Sequence, residues 1–372
     1  MSDTMRDMSK GVLALLGSGE TAPGMTKVHR QLLKRLGEVR AVNLDTAYGF
    51  QENVPQMTEK LLDYFETSLH VAFTPLHFTS YERSSELERT IFKQQVRAAS
   101  YVFAGPGSPS YAMAQWQPLA LRDDLEHVLL EGGTLCFSSA ATATTGAFCP
   151  PIYEIYKVGT APYWLDGLNI MATFGLTCVV IPHYDNQEGR DYDTSRCYLG
   201  ERRLALMEGE LPEGVATLGV DEHTALVLNL EDDTLQVLGK SHGYWRLGGT
   251  VRVLENGSVI PLSELRSVSA APTPAPPREA TSAAAGPNDL AQRILDGGPD
   301  ALEALAQLVQ LSATGGSGFI DPTDLVDGVL AARVNARAKG QYDLADELRD
   351  ALLKSGIDVQ DTPDGTTWSL RP

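Results

Sequence analysis

Residues 133–147 read GTLCFSSAATATTGA, an apolar strand-like run that breaks into a series of small residues opening a helix. A strand that turns sharply into a helix can hold a serine in a strained backbone conformation, provided that the neighbouring side chains are small. The first N–H groups of the helix then stand ready to stabilise an oxyanion. The same letters also fit a plainer arrangement, a helix whose start is capped by Ser138 or Ser139. Two other segments bear on the choice. Residues 102–111, VFAGPGSPSY, read as a strand ending in a glycine-rich loop that can bring backbone N–H groups near the serine. Residues 179–186, VVIPHYDN, read as another apolar strand, ending in Pro182 and His183. An open α/β sheet gathers its functional groups at such strand ends.

Outward from this core, short β-rich runs at 11–16, 39–44, 70–74, 101–104 and 134–137 alternate with amphipathic stretches such as 25–36 and 87–98. The alternation predicts an α/β fold: a mostly parallel, doubly wound sheet with a nucleophile elbow after its 134–137 strand. Runs at 177–181, 225–230, 234–238 and 250–254 follow more closely, with turn residues between them, and predict antiparallel additions at one edge. At 267–287 (SVSAAPTPAPPREATSAAAGP) the composition shifts to Ala, Pro, Ser and Thr, with too few large apolar groups to offset the entropy of ordering. This stretch reads as a linker between a domain at 1–266 and a small, mainly helical domain at 288–372. Within the second domain, 289–311, 324–339 and 343–354 carry helical spacing, and 357–370 reads as an extended tail.

The 372 residues are 43% hydrophobic and 21% charged, enough apolar material for a substantial core. A formal net charge of −18 opposes nonspecific nucleic-acid binding, so a small or cationic partner fits better. No apolar run approaches the roughly 20 residues that span a bilayer, which leads to the expectation of a cytoplasmic protein with no membrane partner. Cys136, Cys149, Cys178 and Cys197 form no CxxC pair, and no cluster has metal-ligand spacing. Neither a metal nor another cofactor is expected. The GSGE of residues 17–20 lacks the third glycine of a dinucleotide fingerprint and reads as a tight strand-end turn.

The order of glycine-rich loop, small-residue serine elbow and strand-PHxxN resembles the dipeptidase E and cyanophycinase family of serine peptidases, whose fold is similar to class I glutamine amidotransferases. The resemblance spans residues 11–265 and includes LLGSGE at 15–20 and GVDEHTALV at 219–227. It implies Ser139 as nucleophile, His183 as general base, and the N–H groups of Gly107 and Ala140 as an oxyanion hole. The chain departs from the family pattern at Phe137 and Ala141, where the family has glycine, and Pro106 removes one backbone donor from the glycine-rich loop. Glu154, between the nucleophile and the histidine, is ranked first as the orienting acid, with Asp185, Asp193 and Glu222 as competitors. Cys136, three residues before Ser139 and inside the strand, reads as a buried small hydrophobe. The charged stretch 184–203 fits a solvated helix and loop, or a substrate subsite with Glu188 and Asp193 for a basic group and Arg196 for a carboxylate. The implied substrates are small peptides or amides, Asp-containing dipeptides among them.

Residues 331–368 carry ADELRD, GI and DTPDGTTW, and resemble the C-terminal region of cysteinyl-tRNA synthetase. The catalytic signatures of that ligase are absent from the chain, so a docking module for a protein or tRNA partner is the expectation. Acidic residues outnumber basic ones two to one between 289 and 372, which opposes autonomous tRNA binding. Three functional readings follow: a serine hydrolase acting through Ser139, an inactive binding protein on the same fold, and a translation-linked accessory protein without ligase activity.

Overall fold

A computed structural model describes residues 10–266, residues 330, 333, 334, 337, 342, 345, 346 and 349, and the strands within 357–370. The chain divides into two compact units, Met1–Pro272 and Thr273–Pro372. The strands of the first unit are β1 (Val12–Leu16), β2 (Ala41–Leu44), β3 (Phe73–Leu76), β4 (Tyr101–Ala104), β5 (Thr134–Ser138), β6 (Phe148–Cys149), β7 (Leu165–Asp166) and β8 (Cys178–Ile181), followed by β9 (Ala216–Val220), β10 (Thr224–Asn229), β11 (Thr234–Gly239), β12 (Gly243–Leu247), β13 (Thr250–Leu254) and β14 (Val259–Pro261). Its helices are α1 (Pro23–Lys34), α2 (Val54–Tyr64), α3 (Glu86–Ala98), α4 (Pro109–Trp116), α5 (Leu121–Leu130), α6 (Ala140–Ala143), α7 (Gly200–Gly209) and α8 (Leu262–Arg266).

Eight strands form the main sheet in the order β14-β11-β10-β1-β5-β4-β2-β3. The stretch from β1 to β3 is parallel, whereas β10, β11 and β14 add antiparallel at the other side. This is the expected α/β fold, antiparallel additions included. The strands nearest the centre are buried on both faces, and β1 shows how: Leu13 and Leu15 enter one core while Val12, Ala14 and Leu16 enter the other. A continuous apolar run is what a strand covered by helices on both sides requires. Helix α1 begins on Pro23 and buries Met25, Val28, His29, Leu32 and Leu33, one stripe at helical spacing. Helix α3 starts in a reciprocal capping box between Ser85 and Glu88.

Two findings differ from the sequence expectation. The strand expected at 70–74 lies at Phe73–Leu76, because a wide helical turn at Phe65–Leu69 prolongs α2 until His70 ends it in a left-handed conformation. The runs expected at 177–181 and 250–254 do not extend the main sheet. As β8 and β13 they belong to a separate four-stranded sheet, β13-β12-β9-β8, in which β8 and β9 run parallel with Ile181 opposite Gly219. That second sheet matters for chemistry, since it brings the ends of β8 and β9 side by side.

In the second unit, β15 (Ile357–Thr362) and β16 (Gly365–Leu370) form an antiparallel hairpin where an extended tail was expected. The described residues between 330 and 349 are helical, with Leu330 and Ala345 buried. The expected linker at 267–287 and helix at 289–311 lie outside the described residues.

Candidate active site

Strand β5 delivers Ser139 at its carboxyl end, and α6 begins on the next residue. Ser139 adopts φ +52° and ψ −116°, a region that a residue with a Cβ enters at a cost of about 1–3 kcal/mol. Hydrogen bonds on both sides hold it there. The Ser139 N–H donates to the Leu16 carbonyl at 3.1 Å, and the Thr142 hydroxyl reaches both the Leu16 and Phe137 carbonyls, at 2.9 and 2.8 Å. The two departures from the family pattern fit this turn. Phe137 points away from the elbow into the core beside Trp116, and buried Ala141 donates its N–H to the Gly105 carbonyl.

His183 follows β8 in a left-handed conformation, φ +46°, fixed by its N–H on the Gly17 carbonyl and by the Cys197 N–H on its own carbonyl. Its Nε2 lies 2.8 Å from Ser139 Oγ. Its Nδ1 lies 2.7 Å from Oε1 of Glu222, which arrives from the end of β9. Since a carboxylate can only accept, the proton of a neutral imidazole sits on Nδ1 and leaves Nε2 free to accept from the serine hydroxyl. Asn186 Nδ2 donates to the same Glu222 oxygen at 3.2 Å, and Asp185 Oδ1 accepts the Glu222 N–H at 2.7 Å. The hydrogen bond from His183, with help from Asn186, holds the Glu222 carboxyl below the usual range against the opposing effect of burial. Glu222 is therefore an anion at neutral pH. Hydroxyl, imidazole and carboxylate in series form an arrangement that can raise the nucleophilicity of an alcohol.

Glu154 does not stand behind His183. Its Oε1 accepts from Ser110 Oγ at 2.6 Å, and Ser110 in turn meets Ser108 Oγ at 2.9 Å, so this carboxylate belongs to the start of α4. The signal for Glu222 was present in the sequence: an apolar run, then DEH, in the same relation to its strand as PH at 182–183. Glu222 stood among the competitors; what kept it from ranking first was the absence of any local cue that the two strands are neighbours.

Gly107 has φ +145°, and a Cβ there would lie 2.0 Å from the Ala47 carbonyl oxygen, so only glycine fits. Neither the Gly107 nor the Ala140 N–H donates to a protein acceptor among the described residues. Of the three residues expected to hold substrate, Arg196 lies over the Tyr184 ring at 4.0 Å and donates to the Tyr184 carbonyl and to Glu201. Asp193 accepts the Ser195 and Glu201 N–H groups, and Glu188 accepts the Tyr198 hydroxyl at 2.6 Å. Tyr198 in turn sits with its ring 6.3 Å from His183. Cys136 is fully buried on the opposite face of β5 from Phe137, and burial pushes its thiol up to about 12. It remains a thiol at neutral pH. No group of His, Cys, Asp and Glu among the described residues could hold a metal ion.

A peptidase from an acI-B1 Actinobacterium has a similar structure, with a TM-score of 0.54 and 21% identity over 68% of this chain and 98% of that one. At this identity the likeness establishes the fold. Residues 321–368 match the cysteinyl-tRNA ligase anticodon binding domain. The cysteine–tRNA ligase of Salinibacter ruber is 51% identical over 49 residues, 13% of this chain and 10% of the ligase. That of Haloarcula marismortui is 53% identical over 47 residues, again 13% and 10%. The chain thus spans about a tenth of the length of the curated relatives it matches. No helix among the described residues is long and apolar enough to cross a membrane.

Proposed function

We propose that this chain is a serine-type hydrolase of peptide or amide bonds, with Ser139 as nucleophile, His183 as general base and acid, and Glu222 as the carboxylate that orients His183. One observation carries the reading: Ser139 Oγ lies 2.8 Å from His183 Nε2 while the serine holds a strained, outward-pointing backbone. Ser139 Oγ attacks the scissile carbonyl as its proton passes to Nε2, and Glu222 stabilises the imidazolium that forms. The N–H groups of Gly107 and Ala140, with no acceptor among the described residues, receive the developing oxyanion. Collapse of the tetrahedral intermediate breaks the C–N bond, with the proton on Nε2 going to the leaving amine. Water then attacks the acyl-serine by the same route and frees the acid.

The substrate in this reading is a small peptide or amide, Asp-containing dipeptides being the first to try. The name of the structural neighbour, a peptidase, and the motifs shared with the dipeptidase E family support that choice. Four buried free thiols support a cytoplasmic site of action. The segment matching the anticodon binding domain serves, in this reading, as a docking element for a protein or tRNA partner; a gel shift with tRNA at physiological salt tests the second possibility. The catalytic reading is tested with a fluorophosphonate probe. Expected is a single adduct on Ser139, absent in Ser139→Ala. A well-folded protein that never reacts at any pH would leave the binding-protein reading in its place.

A further inference from the structure

The LLGSGE segment, whose GSGE reads in the sequence as a tight turn, touches both the serine elbow and the histidine loop. The Leu16 carbonyl holds the Ser139 N–H and the Thr142 hydroxyl. The Gly17 carbonyl holds the His183 N–H, and a Cβ on Gly17 would lie 2.0 Å from the carbonyl oxygen of Asp221, next to Glu222. Glu20 Oε2 accepts the hydroxyl of Ser138, the residue before the nucleophile, at 2.9 Å. Glu20 is itself fixed from below, because its carbonyl accepts from His29 Nε2 at 2.9 Å. A carbonyl can only accept, so His29 carries its proton on Nε2, and Nδ1 accepts from the Tyr101 hydroxyl at 3.0 Å. Burial keeps this imidazole neutral, with its pKa lowered to about 4.

We propose that Glu20 is a positioning residue for the elbow: anchored through its carbonyl to His29, its carboxylate clamps Ser138 and so keeps Ser139 in the conformation that aims Oγ at His183. Ser138 is fully buried and pairs with Leu16 across β1 and β5, so its hydroxyl is the last fixed point of the strand before the strained turn. Without an acceptor there, Ser138 keeps the ladder but loses the restraint on its side chain. The backbone strain at Ser139 can then relax by rotating the next peptide. The proposal rests on the reading of Ser139 as nucleophile for its kinetic consequences but not for its geometric ones.

The test uses the full chain with Glu20→Ala, Glu20→Gln and Ser138→Ala. Misplacement of a reacting group by about 1 Å costs roughly a hundredfold, so Glu20→Ala and Ser138→Ala are expected to slow fluorophosphonate labelling of Ser139 and kcat by about 10- to 100-fold, with KM unchanged. Glu20→Gln, whose amide oxygen still accepts from Ser138, stays within about threefold of wild type. In crystals of Glu20→Ala, Ser139 leaves positive φ and Oγ moves beyond about 3.5 Å from His183 Nε2. Wild-type labelling rates and an unchanged elbow in Glu20→Ala would overturn the proposal, as would equal damage from Gln and Ala. If wild-type protein never labels, the hydrolase reading fails, and the crystal structures still decide whether Glu20 holds the elbow.

Discussion

Replacing Glu222 by Gln keeps the length of the side chain, removes its charge, and presents an amide that can donate to His183 Nδ1. An imidazole held that way carries its proton on Nε2 and can no longer accept from Ser139. In serine enzymes built on the same principle, this wrong tautomer costs about 10⁴ in kcat. Glu222 is 30% exposed, so water can supply an alternative acceptor for Nδ1 part of the time. The expected loss is therefore nearer 10³, or about 4 kcal/mol of transition-state stabilisation at 1.36 kcal/mol per factor of ten. Glu154→Gln is the control, because its oxygen still accepts from Ser110; it is expected to change kcat by less than about threefold. The assay is the second-order rate of fluorophosphonate labelling, together with kcat on whichever dipeptide is hydrolysed, at pH 7.5 or so, where Glu222 is ionised. Should Glu154→Gln inactivate and Glu222→Gln retain full rate, the assignment of the acid would be refuted.

Ser139→Ala and His183→Ala should each abolish labelling with little change in Tm, and the double variant should be no worse than either, since the pair acts as one unit. Cys136→Ala should lower stability by about 1 kcal/mol and leave labelling intact; loss of labelling there would put the nucleophile on the wrong residue. His29 adds a pH dependence to stability. Its folded pKa of about 4 lies below the ordinary 6.5, so as pH falls the unfolded chain takes up the proton first. Stability is full above pH 6.5 and falls by about 3 kcal/mol on the way to pH 4, and urea titrations should show that slope flattened in His29→Gln. Limited proteolysis is expected to cut within 267–287, where the composition offers little to bury, and to leave a fragment ending near residue 266 that retains all labelling; cuts confined elsewhere would count against that boundary.

Much was determined by the sequence itself, because the deciding interactions are local. Small side chains after 134–137 suit a sharp strand-to-helix turn, doubly buried strands must be apolar throughout, and α1 needs one stripe at helical spacing; each can be read within a dozen residues. The same holds for Ser139 and His183, which stand at the ends of their own strands. Which of the competing carboxylates stands beside His183 could not be read this way. Glu222 lies 39 residues from His183 along the chain, and it reaches Nδ1 only because β8 and β9 pair in parallel in a sheet separate from the main one. That pairing, with Ile181 opposite Gly219, sets which carboxylate faces the imidazole, and several of similar spacing were available. The clamp of Glu20 on Ser138 likewise joins residues 118 apart. Register between strands distant in sequence is fixed by the packing of whole faces, a property no short stretch of residues carries.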